Sequence, residues 1–266
     1  MKQRLITAAI ALPLLILLLG FASPLIFTLF VTLIVFLALF EFNRMGMKQE
    51  QVFIQWFAAA LGAAVVPLVF FNQPASLAVF LTVVFLVLAL FFLLRPGTLA
   101  RVHHHIGWIC LGLIYVAVLL GHLVPLRLLA DGRQWIFLTL VVVMCCDTSA
   151  YVVGSRIGKR KLYPLISPNK SIEGAVGGVC GAVLGALLSK FVFFSAIGFW
   201  PVVAVGLLLS VVGQIGDLFE SMLKRACKVK DSGDMIPGHG GLLDRLDSLL
   251  FAIPLIYYVA RGGFGG

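Results

Sequence analysis

The chain has 266 residues, 61% of them hydrophobic and 12% charged, with a formal net charge of +9 and a mean hydropathy of +1.10. A soluble core of this length cannot bury so much apolar side chain, which excludes an ordinary water-soluble domain. The basic residues are scattered over several short connections, which excludes a nucleic-acid groove; attraction to anionic lipid, about 1 kcal/mol per cation near the surface, accounts for much of the excess.

Runs of roughly 20 apolar residues predict membrane-spanning helices, because backbone polar groups in lipid must be satisfied internally. Nine are expected, at 5–20, 24–41, 52–71, 75–94, 106–126, 135–153, 173–189, 198–218 and 245–260, giving an all-α polytopic membrane protein. Lys2 and Arg4 before the first run imitate a secretory signal, but Phe21-Ala22-Ser23 is a poor cleavage site and further spans follow at once, so an uncleaved first helix is expected. With the N-terminus cytoplasmic, all of the 20 Lys and Arg residues except Arg127, Arg133, Lys190 and Arg261 fall in inner segments. The polar connections 154–172 and 219–244 then share the cytoplasmic face.

Residues 1–134 read as a hydrophobic scaffold and 135–266 as the region that carries chemistry. His103, His104 and His105 are expected in a solvated interfacial loop, since three consecutive histidines make a poor preorganised metal site. The five cysteines lack zinc or disulfide spacing and read as small apolar packers. Gly177, Gly181 and Gly185 repeat every four residues, which predicts a close helix contact with a partner in this chain or in a second subunit.

Asp147 falls about 9 Å inside the sixth span, where a carboxylate costs on the order of 3 kcal/mol and marks a functional site by default. Lys170, between Ser167-Pro168-Asn169 and the next helix, is placed to meet a phosphate as a point charge. If the eighth helix runs out of the membrane, Asp217, Glu220, Ser221, Lys224 and Lys228 form one stripe, acids toward the membrane and lysines toward water. An exposed amphipathic face is the structural alternative.

The loop Pro237-Gly238-His239-Gly240-Gly241 precedes a helix, an arrangement suited to cradling phosphate. Asp244 and Asp247 follow, with helix capping as the alternative, Asp244 as N-cap and Asp247 at the third helical position. Were Asp217 and Asp244 to approach to ~4 Å, their repulsion would be about 4 kcal/mol at an effective dielectric near 20, and a divalent cation would remove it. Oxygen ligands suit Mg²⁺.

Ser221-x-Leu223-Lys224-Arg225, Lys230-Asp231 and Ile236-Pro-Gly-His-Gly-Gly-Leu-x-Asp-Arg-Leu-Asp247 together resemble the signature of the phosphatidate cytidylyltransferases, the CDP-diacylglycerol synthases. Gly216-Asp217-Leu218-x-Glu220 extends the likeness. So does the run from Asp147-x-x-Ala150-Tyr151 through Gly154, Gly158-Lys159 and Ser167-Pro168-x-Lys170 to Glu173-Gly174. Ser171 and Ile172 depart from the more usual Thr and aromatic.

The resemblance implies Mg²⁺-dependent conversion of CTP and phosphatidic acid to CDP-diacylglycerol and pyrophosphate, with a second cation left open. It further implies a homodimer in the inner cell membrane, its site facing the cytoplasm. Asp217 and Asp244 are then assigned to the metal with Asp247 and Asp147 in support. Lys170, Ser221, Lys224 and Arg225 hold phosphates, the His239-Gly240-Gly241 loop meets the nucleotide or pyrophosphate, and Lys228, Lys230, Asp231 and Arg245 line the substrate side. A transporter is disfavoured because the polar residues gather at one face; a CTP-dependent lipid-alcohol kinase would release CDP instead of pyrophosphate.

Overall fold

The computed structural model describes residues 13, 16–48, 52–71, 74–95, 99–236 and 240–262. The chain folds as two compact units. One contains the residues up to Pro125 together with Asp231–Asp244; the other contains Leu126–Lys230 and the chain from Arg245 onward.

In the first unit, α1 (Pro24–Gly46) begins where Ser23 Oγ accepts from Ile26 N at 3.3 Å and Pro24 fills a position whose amide would have no helical partner. The helices α2 (Val52–Ala63), α3 (Val65–Phe71), α4 (Pro74–Leu94) and α5 (Leu99–Gly112) follow, with α5 continuing through a π-helical turn at Leu113–Val118. Phe27, Leu39, Phe42, Leu88 and Leu120 are fully buried in its core. Polar side chains clasp the end of α1: Asn43 Nδ2 donates to Gln55 O (3.4 Å), Gln55 Nε2 to Met47 O (2.9 Å) and Trp108 Nε1 to Phe42 O (2.9 Å). Trp108 also stacks on Phe42 and covers Gly46, where any side chain would collide with its indole.

The second unit contains α6 (Gly132–Ile157), β1 (Lys161–Tyr163), β2 (Ser167–Ser171), α7 (Ile172–Val192), α8 (Phe199–Ala226) and α9 (Asp247–Arg261). Here the glycine repeat finds its partner, which is α6 of the same chain. A Cβ at Gly177 would come within 2.6 Å of Val153, one at Gly181 within 2.8 Å of Cys145 O, and one at Gly185 within 2.9 Å of Cys145 Sγ. Helix α8 packs on α7, and α9 on α8, where Gly216 leaves room for the Asp247 carbonyl.

The strands β1 and β2 pair antiparallel around a bulge, a small addition to the expected all-α architecture. This hairpin is fastened at both ends. Glu173 Oε2 accepts from Lys159 N at 3.0 Å and Arg160 N at 3.2 Å, and Ser171 Oγ caps α7 by accepting from Gly174 N at 3.1 Å. The departure from Thr at position 171 therefore exchanges one capping hydroxyl for another.

Six helices among the described residues are long and apolar enough to cross a membrane: Pro24–Gly46, Leu77–Leu94, Leu99–Leu128, Gly132–Ile157, Ile172–Val192 and Phe199–Ala226. They match the second, fourth, fifth, sixth, seventh and eighth expected spans. The third is a shorter apolar helix, Val52–Leu68, with a break at Ala64, and α9 has 15 residues with Pro254 inside it. Most of the first expected span lies outside the described residues.

The histidine run is corrected, since all three residues lie within α5. His105 is buried, with its ring stacked toward Phe92, and His104 lies parallel to Trp108. The reason is local: without a proline or glycine between Leu99 and Ile106, the run continues the helix that Trp108 anchors.

Candidate functional site

In the second unit a cavity of about 510 Å³ opens between α6, the hairpin, α7 and α8. Asp147, Tyr151 and Gly154 line it from α6 at spacings of four and three, so they share one helix face. Asn169 and Lys170 reach it from β2, and Gln214 and Asp217, one turn apart, from α8.

At its centre Lys170 Nζ stands 2.5 Å from Asp217 Oδ2, both side chains 28% exposed. Ser221 Oγ donates to the other oxygen of Asp217 at 3.4 Å. The charge of Asp217 bears on Asp147 and on Asp247, whose Oδ1 accepts from Ser248 N at 2.6 Å. Three carboxylates thus share one neighbourhood with Lys170. Gln214 Nε2 donates to Ala175 O at 3.3 Å, tying α8 to the start of α7 beside the cavity.

From Glu220 to Lys224 the stripe on α8 faces protein, which corrects the water-facing reading of Lys224 and the exposed-face alternative, whereas Lys228 is exposed as expected. Glu220 is fully buried and Ser221 and Lys224 are each 8% exposed, with Lys224 Nζ 3.0 Å from Glu220 Oε1. Lys228 leaves the stripe: α8 ends at Ala226, and Lys228 takes a left-handed backbone (φ 55°) beyond it.

Arg225 lies on another side of α8, where its Nε donates to Ile166 O (3.3 Å) and Nη1 to Val229 O (3.1 Å). It fastens the hairpin turn to the end of the helix. Lys228, Lys230, Asp231 and Arg245 are exposed.

Asp244 belongs to the first unit and caps neither helix. Its Oδ2 accepts from Ser232 N and Gly241 N, both at 3.0 Å, gathering those two amides on one carboxylate. Asp247 is the first residue of α9, and Leu246 stands at its N-cap without a side-chain bond. The capping alternative fails because Leu243–Arg245 forms a 3-10 turn before the helix begins.

Gly240 has φ 84°, a conformation suited to glycine, and its carbonyl accepts from Ile236 N at 3.0 Å. The amide of Gly241 is spent on Asp244 instead of facing an open anion site. His239, with Pro237 and Gly238, lies outside the described residues.

Sequence reasoning overlooked Glu41 and Gln214. Glu41, 3% exposed at the end of α1, has Oε2 within 2.9 Å of Leu243 N and 3.3 Å of Ser232 Oγ, both of which donate to it. Its signal was available, since Glu41 and Glu50 are the only acids before residue 127. Gln214 could have been found three residues before Asp217 on the same face.

The donor set around Asp217 suits a hard cation. Among the described residues no three His, Cys, Asp or Glu side chains are gathered as a self-sufficient metal site.

The family described as "Cytidylyltransferase family" matches residues 2–261. A phosphatidate cytidylyltransferase of Staphylococcus saprophyticus is 36% identical over 264 residues, covering 96% of this chain and 97% of that relative. One of Bacillus subtilis is 44% identical over 155 residues, 58% of each protein. One of Staphylococcus haemolyticus is 47% identical over 128 residues, 48% of this chain and 49% of that relative. In the latter two alignments the chain thus spans about half the length of its relative.

Proposed function

We infer the reaction from one premise: this chain belongs to the cytidylyltransferase family. It transfers CMP from CTP to phosphatidic acid, giving CDP-diacylglycerol and pyrophosphate. The observation that carries this reading is the likeness to a phosphatidate cytidylyltransferase along nearly the whole chain. The cavity around Asp217 and Lys170, set among membrane-length helices, supports it.

A phosphate oxygen of phosphatidic acid attacks the α-phosphorus of CTP. One P–O bond forms, the bond to the β-phosphate breaks, and pyrophosphate leaves with the electron pair. The nucleophile belongs to the substrate, so the protein's tasks are alignment and charge neutralisation.

Lys170, already turned toward an anion, exchanges Asp217 for a substrate phosphate. Ser221 orients the Asp217 carboxylate through its hydroxyl. Asp147 and Asp247 hold negative charge beside it, and Gln214 keeps α7 and α8 in register at the cavity wall. Mg²⁺, held by Asp217 with support from Asp147 and Asp247, would neutralise charge on the reacting phosphates. Asp244 keeps its own sequence-based assignment to the metal.

Lys224 contributes its charge from within the Glu220 pair, and Arg225 holds the hairpin turn. The finer expectations belong to the same proposal: nine spans with a cytoplasmic N-terminus, an N-terminal scaffold joined to a catalytic C-terminal region, a homodimer, and a site at the cytoplasmic face of the cell membrane.

The test supplies detergent-purified protein with phosphatidic acid, CTP and Mg²⁺, with and without EDTA, and quantifies both products. CDP-lipid and pyrophosphate in equal amounts, abolished by EDTA, are expected. Release of CDP with a phosphorylated lipid would overturn the reading in favour of a lipid kinase.

A further inference from the structure

Glu41 lies far in sequence from the signature segment, yet within the first unit it is buried against that segment. Its Oε2 accepts from Ser232 Oγ and Leu243 N. Ser232 is also bound to Asp244 in both directions: its amide donates to Asp244 Oδ2 at 3.0 Å, and its hydroxyl accepts from Asp244 N at 3.3 Å. Gly233 and Gly241 pack flat on the carboxylate, and a Cβ at Gly241 would come within 2.9 Å of Glu41 Oε2. The helix end that carries Glu41 is fixed by the Asn43, Gln55 and Trp108 bonds.

We propose that Glu41 is a positioning residue for Asp244, holding Ser232 and Leu243 so that the Asp244 carboxylate stays seated on the amides of Ser232 and Gly241. The carboxylate is the point on which Ser232 and Leu243 are set. Two of its donors flank or contact Asp244, and two glycines give the backbone access to it. The proposal rests on the cytidylyltransferase reading only in that Asp244 serves turnover; the seating of Ser232, Leu243 and Asp244 is tested separately.

Two readouts are taken on Glu41→Ala, Glu41→Gln and Ser232→Ala, each checked for folding by thermal melting. The first is the kcat and KM for CTP in CDP-lipid formation. The second is the rate of tryptic cleavage after Arg245, an exposed site that follows Asp244 directly. Displacing a catalytic group by ~1 Å can cost about 100-fold, so Glu41→Ala is expected to lose roughly that in kcat with KM little changed. Losing buried hydrogen bonds should speed its cleavage about 10-fold.

Glu41→Gln keeps an acceptor oxygen for both donors and should recover most of both properties. Ser232→Ala removes a single hydroxyl and should move in the same direction as Glu41→Ala by a smaller factor, which decides the matter if Glu41→Ala does not fold. Wild-type kcat and cleavage rate in Ser232→Ala, or a Glu41→Gln variant as impaired as Glu41→Ala, would overturn the proposal. If the wild-type protein makes no CDP-lipid, the reaction reading fails while the cleavage rates still decide the role of Glu41.

Discussion

The ammonium of Lys170 and the carboxylate of Asp217 meet 2.5 Å apart, brought together by a bulged hairpin on one side and a membrane-length helix on the other. Such a pair can change partners when a phosphate enters, because Lys is a compact charge on a flexible stem. Lys170→Met should therefore lower turnover by about 10²-fold or more, the loss typical of one electrostatic contact to a transition state. Lys170→Arg should restore only part of it, since the planar guanidinium does not reproduce a point charge. Initial rates of CDP-lipid formation check both.

Asp217 sits among like charges, with Asp147 and Asp247 both feeling it. Asp217→Asn removes that repulsion. The variant should melt no lower than the wild type, while pyrophosphate release falls by roughly 10³-fold. A parallel fall in both would mean that Asp217 holds the fold together instead of serving the reaction.

Asp244→Asn should also abolish turnover in a folded protein, for a different reason. An Asn oxygen can still accept the amides of Ser232 and Gly241, so those two bonds survive and only the charge is lost. An active Asn variant would remove Asp244 from the metal assignment.

Lys224 lies 3.0 Å from a fully buried Glu220, so Lys224→Ala strips a buried carboxylate of its cation. Breaking such a pair typically costs about 3–5 kcal/mol. A large drop in melting temperature is expected, with most of it recovered in the double variant Glu220→Leu/Lys224→Met. Lys161→Ala, at an exposed position on β1, should change neither stability nor turnover appreciably.

Gly181→Val would drive a side chain into Ser149 and the carbonyl of Cys145, and the carbonyl cannot rotate away. Overpacking of this kind costs about 1–3 kcal/mol. Because α6 carries Asp147, turnover should fall together with the melting temperature, as measured on the same preparation.

The parts of the fold written in local pattern were legible. Four-residue glycine spacing announced a close helix contact, and apolar length announced the six membrane-length helices found among the described residues. Asp147 was legible because charge is costly beside lipid and rarely present without a task, Lys170 because it stands between a Ser-Pro-Asn turn and a helix start, and Asp217 because it opens a helical stripe of polar residues.

What escaped depended on partners distant in sequence. Asp244 has the spacing of a helix cap, and only the structure shows that its carboxylate is taken by the amides of Ser232 and Gly241. Lys224 has the spacing of a solvated stripe, and only the packing of α8 shows that it is buried. Glu41 was passed over because its own helix is otherwise scaffold, while its donors lie 191 and 202 residues further along.

That distance has a consequence for biosynthesis. When the ribosome has made the first five helices, Glu41 has neither Ser232 nor Leu243 to accept from, so the first unit cannot close around it. Its final settling waits until residue 244 has been translated. A fragment ending at Pro125 would carry a carboxylate without its intended donors, and coexpression with a segment containing Asp231–Asp244 offers the means to complete it.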